Sequence, residues 1–435
     1  MVRTRKRSRL QETAPSTAAR KEFSHLASLP LEIWKMVLEN IDHQPTINAL
    51  SLTNSAVNAI VIPHLYRRIV ITRSHDPISK RFECLLTTGQ KKQLRKKEND
   101  EGQQERCPNE LNQTTKPIVA THVRQLIIND DPYKDTEVRC IEKILNNLNQ
   151  LKIIDTSILT VDMAKFIASL KHLQALRVTT ACGEAVLEPI RQVKGIKHLR
   201  FACGTNRHHP NIDVAQSLIE NSASTLRSLT GVMFFPFKVE SGSTKAQYPL
   251  IMLKTLHILK LPLDRENTER MLKFVDFVKL EDLLWDDNHN DPVLLYERLA
   301  VLFGTASPPS LRSLRLTIRI NFEVGYRFIA SFNTLRTLSV ANNCIGPSDI
   351  MLESILKHKG LRILELRSEC CVPPCLSARE ICVIVDGLPE LRELAFVPKE
   401  EEMASAPTLI EMEKLLTQRR LPRLRSVGSW FGRDI

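Results

Sequence analysis

The chain has 435 residues, 43% hydrophobic and 25% charged, an ordinary composition for a folded globular protein. No run of about eighteen apolar residues occurs, so a membrane-spanning helix is not expected. The net charge is +12, but residues 1–22 alone hold seven Lys or Arg against two Glu, and the diffuse remainder does not make a nucleic-acid stripe.

The first segment, 1–24, carries Arg3-Thr4-Arg5-Lys6-Arg7 with no apolar stretch behind it, so it does not read as a secretory signal. It could serve as a nuclear import signal or a phosphate contact; the plainer reading is a solvated, disordered arm. The ten cysteines are scattered through a chain too long to need staples, which points to free thiols in a reducing compartment.

Leu26 to Ile41 reads LASLPLEIWKMVLENI. Ile33, Val37 and Ile41 fall four apart and share one stripe of a helix. Pro30 suits the first turn, where its missing N–H costs nothing, and Glu32 complements the helix dipole there. Trp34 points away from that stripe, toward either a second helix or a partner. Pro45 breaks the chain. Ile47, Leu50, Leu52, Val57, Ile60 and Ile62 follow at loose helical spacing, and Pro63–Arg68 leads into the strand Ile69-Val70-Ile71-Thr72. So few residues cannot bury a core well alone, so the unit docks on the rest of the chain or receives a partner.

Leu29-Pro30-x-Glu32-Ile33, then Val37 and Ile41, then Leu50-Ser51-Leu52-Thr53-Asn54, resembles an F-box. Pro63-His64-Leu65-Tyr66-Arg67-Arg68-Ile69-Val70-Ile71 resembles the continuation common in fungal F-box proteins. Where many F-boxes carry a basic pair and a Trp, this chain has Ser55-Ala56-Val57. The other reading of 25–72 is a helical cap on a larger domain. The resemblance implies that Leu29, Pro30, Ile33, Val37 and Ile41 dock on a Skp-type adaptor, and through it on a cullin.

Residues 73–117 include Lys91-Lys92-Gln93-Leu94-Arg95-Lys96-Lys97 and then Glu98 to Glu105, polar and charged in both signs. They read as an exposed linker or insertion, because such a stretch has little apolar surface to offset its ordering entropy.

From 118 onward the pattern apolar-x-x-apolar-x-apolar recurs. It appears at Val123/Leu126/Ile128, Leu173/Leu176/Val178, Ile196/Leu199/Phe201, Leu253/Leu256/Ile258 and Leu280/Leu283/Trp285. It continues at Leu311/Leu314/Leu316, Leu335/Leu338/Val340, Leu361/Leu364/Leu366 and Leu391/Leu394/Phe396, with weaker copies from Leu151, Leu226 and Leu424. Amphipathic segments lie between them: 138–148, 161–170, 214–219, 268–278, 293–303, 350–356 and 378–388. Each copy gives a short strand, and stacking strand–helix units buries their apolar faces in one core. The repeats resemble leucine-rich repeats of the long, irregular kind found behind many F-boxes. The expected Asn appears only as Asn288 and Asn343.

The fold expected over 118–435 is therefore α/β, an irregular leucine-rich-repeat solenoid with parallel strands on the concave face and helices outside. Residues between the second and third apolar positions face out of the core. That column runs Ile127, Arg177, Arg200, Thr230, His257, Leu284, Arg315, Ser339, Glu365 and Ala395. Its charged members, Arg177, Arg200, His257, Arg315 and Glu365, are the expected target-binding residues. The mixed column suits a protein surface or peptide.

No Gly-rich phosphate loop, Gly-x-Ser-x-Gly elbow, His-Glu-x-x-His or kinase signature occurs. Cys370-Cys371-x-x-x-Cys375 with Cys382 fits zinc spacing poorly, and His208-His209 has no nearby third ligand. No cofactor and no catalytic residue is expected. With the resemblance, the chain reads as the substrate-recognition subunit of an SCF-type ubiquitin ligase, in cytoplasm or nucleus, holding a target protein on its repeats. The alternatives are a repeat scaffold outside any ligase, or a nucleic-acid-associated protein using its basic arm.

Overall fold

The structure, a computed structural model, describes residues 29–426 except 42–43, 54, 73, 75, 100–116, 130–132, 180–182, 202–209, 232–250, 260–264, 287–292, 306–308, 319–321, 343–348, 369–374, 377 and 399–422. The chain divides into two compact units, the boundary falling between Lys152 and Ile153.

In the first unit, α1 (Leu31–Glu39) starts behind Pro30, whose extended backbone leads into the helix and whose carbonyl accepts the Trp34 N–H at 3.1 Å. Helices α2 (Gln44–Ser51) and α3 (Ser55–Leu65) follow. Trp34, Leu38, Ile47, Val57 and Val61 form their common core, and Leu29, Ile41, Leu50, Ile60 and Leu65 pack half-buried around it. Trp34 and Leu38 are thus the core stripe of α1. The indole fills the space between helices, leaving Ile33 and Val37 on the outer side. Strand β1 (Arg68–Ile71) leaves this bundle.

Segment 73–117 is not a bare linker in its first part. It forms α4 (Ile78–Arg81), a 3-10 turn at Glu83–Leu85 and α5 (Thr88–Asn99). Ile78, Leu85 and Leu86 are buried. Amide side chains supply the anchors that a search for apolar residues overlooks. Asn147 Nδ2 donates to the Leu85 carbonyl at 2.7 Å and to Gln90 Oε1 at 2.8 Å, and Gln90 Nε2 donates to the Lys143 carbonyl at 3.2 Å. Strand β2 (Gln125–Ile128) pairs in parallel with β1, Leu126 opposite Ile69, and α6 (Asp135–Leu145) follows. The first repeat copy therefore belongs to this unit rather than to a domain beginning at 118.

The second unit repeats one motif. Its elements begin β3 (Ile153–Thr156), α7 (Val161–Ser169), β4 (Ala175–Val178), α8 (Glu184–Leu187), β5 (His198–Phe201), α9 (Pro210–Ser222) and β6 (Ser228–Thr230). They continue β7 (Thr255–Leu259), α10 (Arg265–Phe274), β8 (Asp282–Asp286), α11 (Val293–Thr305), β9 (Ser313–Ile318), α12 (Phe322–Ala330), β10 (Thr337–Asn342) and α13 (Asp349–Leu356). The unit closes with β11 (Ile363–Ser368), β12 (Cys375–Leu376), α14 (Ala378–Gly387), β13 (Glu393–Pro398) and β14 (Arg423–Ser426). Strands β3 to β11 pair in chain order, then β13, and each pairing is parallel; β12 and β14 both pair with β13. The sheet is open. The seven amphipathic segments read from sequence coincide with α6, α7, α9, α10, α11, α13 and α14, with ends differing by a few residues. Leu424 lies opposite Leu394, at the second apolar position of its copy rather than the first.

The apolar positions point inward and are buried, as at Leu176 and Val178, Leu256 and Ile258, or Leu364 and Leu366. Consecutive strands are also locked at their starts. The Lys197 carbonyl accepts the N–H groups of Arg227 (2.8 Å) and Ser228 (3.0 Å) from the next repeat. The same two-donor arrangement recurs at the carbonyls of Gln174, Arg227, Lys254, Glu281, Arg312, Arg336 and Arg362. Polar side chains bolt some repeats further. Ser222 Oγ accepts the Ile196 N–H at 3.1 Å, and His358 Nδ1 accepts the Leu335 N–H at 3.4 Å.

Candidate protein-interaction surfaces

Two surfaces carry the residues singled out from the sequence. The first is the outer side of α1. With Trp34 and Leu38 committed to the core, Ile33 (42% exposed), Met36 (61%) and Val37 (40%) line one apolar stripe open to solvent. Pro30 at the head of the helix is exposed as well. Leu29 and Ile41 belong to the other set and pack partly against the core. Met36 was not singled out from the sequence, although it stands three residues from Ile33 and the helical period places it on the same stripe.

The second surface is the open face of the sheet in the second unit. Strand register brings the predicted column into one continuous row: Arg177 opposite Arg200, Arg200 opposite Thr230, Thr230 opposite His257, and His257 opposite Leu284. Leu284 then faces Arg315, Arg315 faces Ser339, Ser339 faces Glu365 and Glu365 faces Ala395, with Ser339 itself buried. Ile127 lies in the first unit and is buried, so it is not part of this row.

The row is electrostatically uneven. At one end Asp155 faces Arg177 from the neighbouring strand, with a nitrogen–oxygen distance of 3.2 Å. His198 lies beside these cations, and burial, then Lys197 and Arg177, hold its pKa below the ordinary value. In the middle His257 Nε2 sits 2.8 Å from Asp282 Oδ2. Burial alone would push the Asp282 carboxyl up; hydrogen bonds from His257 and Ser313, with the charges of His257 and Arg315, bring it below the usual range instead. Toward the far end stand Glu365 and Glu393, and the register continues onto β14 with Arg423 opposite Glu393 and Arg425 opposite Ala395. Asp282, Ser313, His198 and Glu393 went unremarked in the sequence. Each stands two residues before a column member, and strand alternation puts such residues on the same face.

Among the described residues no group of three His, Cys, Asp or Glu is placed to hold a metal ion. Cys375 lies on β12 and Cys382 is a half-buried free thiol on α14, while Cys370, Cys371, His208, His209, Asn288 and Asn343 fall outside the described residues. Among the described residues no helix is long and apolar enough to cross a membrane.

No protein-family model matches the chain, and no curated protein matches it. Among solved structures, a Bacteroides fragilis protein determined by the Northeast Structural Genomics Consortium aligns at 15% identity over 69% of this chain and 74% of its own, with a TM-score of 0.32. Likeness of that degree carries no argument about fold or function.

Proposed function

We propose that the chain is a non-catalytic substrate receptor of an SCF-type ubiquitin ligase, an F-box unit followed by irregular leucine-rich repeats. The observation that carries this reading is the apolar stripe Ile33, Met36 and Val37, left exposed beside a core that α1 has already completed with Trp34 and Leu38. A helix laid into a partner's groove uses such a stripe. Burying each of these side chains fully is worth roughly 1.5–3 kcal/mol. The resemblance of Leu29-Pro30 and Glu32-Ile33 to an F-box implies a Skp-type adaptor as the partner, with a cullin beyond it. The row from Arg177 to Glu365 then holds the target protein. Recruitment of this kind raises the local concentration of target lysines near a charged conjugating enzyme and asks no chemistry of the receptor. The work would take place in cytoplasm or nucleus.

The test is co-purification of the full chain with a co-expressed Skp-type adaptor. The wild type should retain the adaptor, and Ile33→Asp with Val37→Asp should lose it while circular dichroism stays unchanged. Adaptor recovery at the wild-type level from the double variant would overturn the reading in favour of a repeat scaffold outside any ligase.

A further inference from the structure

The residues whose backbone forms the two-donor ladder at the strand starts share a second property. Of the nine from Gln174 to Arg392, seven are basic: Lys197, Arg227, Lys254, Arg312, Arg336, Arg362 and Arg392. Neighbouring strands lie about 4.8 Å apart, so Lys197 to Arg392 spans about 34 Å, the reach of roughly ten residues of extended chain. The excess is local. Residues 153–435 hold 36 Lys or Arg and 32 Asp or Glu, a net of +4. The described residues joining each helix to its next strand, with 251–254 before β7, hold thirteen basic and four acidic residues, a net of +9. The rest of the unit is therefore net acidic, and this edge is its positive pole.

Little of that charge is neutralised within the chain. Lys254 pairs with Glu281 at 2.7 Å and Arg362 with Glu390 at 3.2 Å. Arg312 donates to the Thr334 carbonyl at 3.1 Å, which orients the guanidinium without cancelling its charge. Lys197, Arg336 and Arg392 have no carboxylate partner among the described residues and are exposed. Exposed cations repeated along one edge suit a linear polyanion.

We propose that this basic edge docks an acidic polypeptide segment, on a surface separate from the open face of the sheet. Two observations favour a polypeptide over nucleic acid. By pairing with Lys254 and Arg362, Glu281 and Glu390 leave free cations only at intervals, which a peptide of mixed sequence can match and an unbroken row of phosphates cannot. Among the described residues, none of the exposed large hydrophobic side chains is aromatic, so no stacking platform for unpaired bases is present. The proposal does not rest on adaptor binding.

Fluorescence anisotropy with the full-length protein tests it. The probes are a labelled Glu-rich peptide of roughly ten residues, its Gln counterpart, and single- and double-stranded oligonucleotides of matching charge. The basic arm of residues 1–22 is present in every sample, so variants isolate the edge. The Glu peptide should bind, more weakly as salt rises, and the Gln peptide should not. Lys197→Glu with Arg336→Glu and Arg392→Glu should weaken binding about tenfold or more, since each lost ion contact is a salt-dependent term. Lys165→Gln with Arg327→Gln, exposed on helices α7 and α12 away from both surfaces, should leave peptide affinity unchanged. Should the triple charge reversal fail to fold by circular dichroism, the triple Gln version decides, with a smaller loss expected. Undiminished peptide binding by the folded triple variant, no binding by the wild type, or tighter edge-dependent binding of an oligonucleotide would each overturn the proposal.

Discussion

Arg177 and Arg200 stand directly opposite one another on adjacent parallel strands, two guanidinium groups on one face of a sheet. Like charges in that position oppose sheet formation by roughly 0.2–1 kcal/mol. Asp155 faces Arg177 from the other side, which leaves Arg200 as the member of the pair that adds charge without a carboxylate among the described residues.

Arg200→Thr should therefore leave the fold as stable as before or slightly more so, by a few tenths of a kcal/mol. Thr230, its other neighbour in the row, shows that this residue type fits. If the row holds the target, the same substitution should cut target recovery sharply, since loss of an Arg hot spot costs about 2 kcal/mol or more. Denaturant midpoints and pull-down of targets, measured on one preparation, separate the two effects. Equal target recovery would place the target elsewhere.

His358 supplies the second prediction. It is fully buried, Nδ1 receives the Leu335 N–H, and Nε2–H donates to the Ile329 carbonyl at 3.1 Å. Burial lowers its pKa to about 4, against the pull of the Ile329 and Asn333 carbonyls. The unfolded chain takes up this proton near pH 6.5, the folded chain only near 4. Stability from this residue is thus complete above 6.5, declines as pH falls between 6.5 and 4, and is flat below that, a loss of roughly 3 kcal/mol. Urea melts across that window should show the decline in the wild type and a smaller one in His358→Gln. Equal slopes in the two proteins would show that other groups govern acid sensitivity.

Substitutions on the two sides of α1 should behave oppositely. Trp34→Ala empties the core shared with Val57 and Val61 and should cost about 3–5 kcal/mol. Met36→Ser, on the outer stripe, should change stability by no more than about 0.5 kcal/mol yet weaken adaptor binding. Thermal melts and co-purification run side by side check both. A large stability loss from Met36→Ser would mean that the outer stripe is already covered within the chain.

The repeat architecture was legible because its signal is periodic. Three apolar positions per copy set a strand and its inward side, and strand alternation then gave the row from Arg177 to Glu365. Register across strands fixed what sequence alone could not, namely that Asp155 faces Arg177 while His257 reaches Asp282 on the next strand. The first unit was less transparent. Ile33, Val37 and Ile41 form a valid helical stripe, but so do Trp34 and Leu38, and the larger indole takes the interior. Residues 88–99 escaped notice because Gln90, bonded to Asn147 and the Lys143 carbonyl, anchors them through its amide group, which hydrophobic patterning does not register.

The two-donor carbonyl ladder also makes length a free variable. Its bonds run one way, from the start of one strand to the start of the next, and each joint resembles every other. Excising Asp282–Arg312 as a block would join Glu281 to Ser313. The Lys254 carbonyl would still meet two donors, now from Glu281 and Ser313, and the Glu281 carbonyl would meet Arg336 and Thr337 in place of Arg312 and Ser313. The chain can therefore shed or gain whole courses, like brickwork, with the two-donor joints between the remaining strands kept.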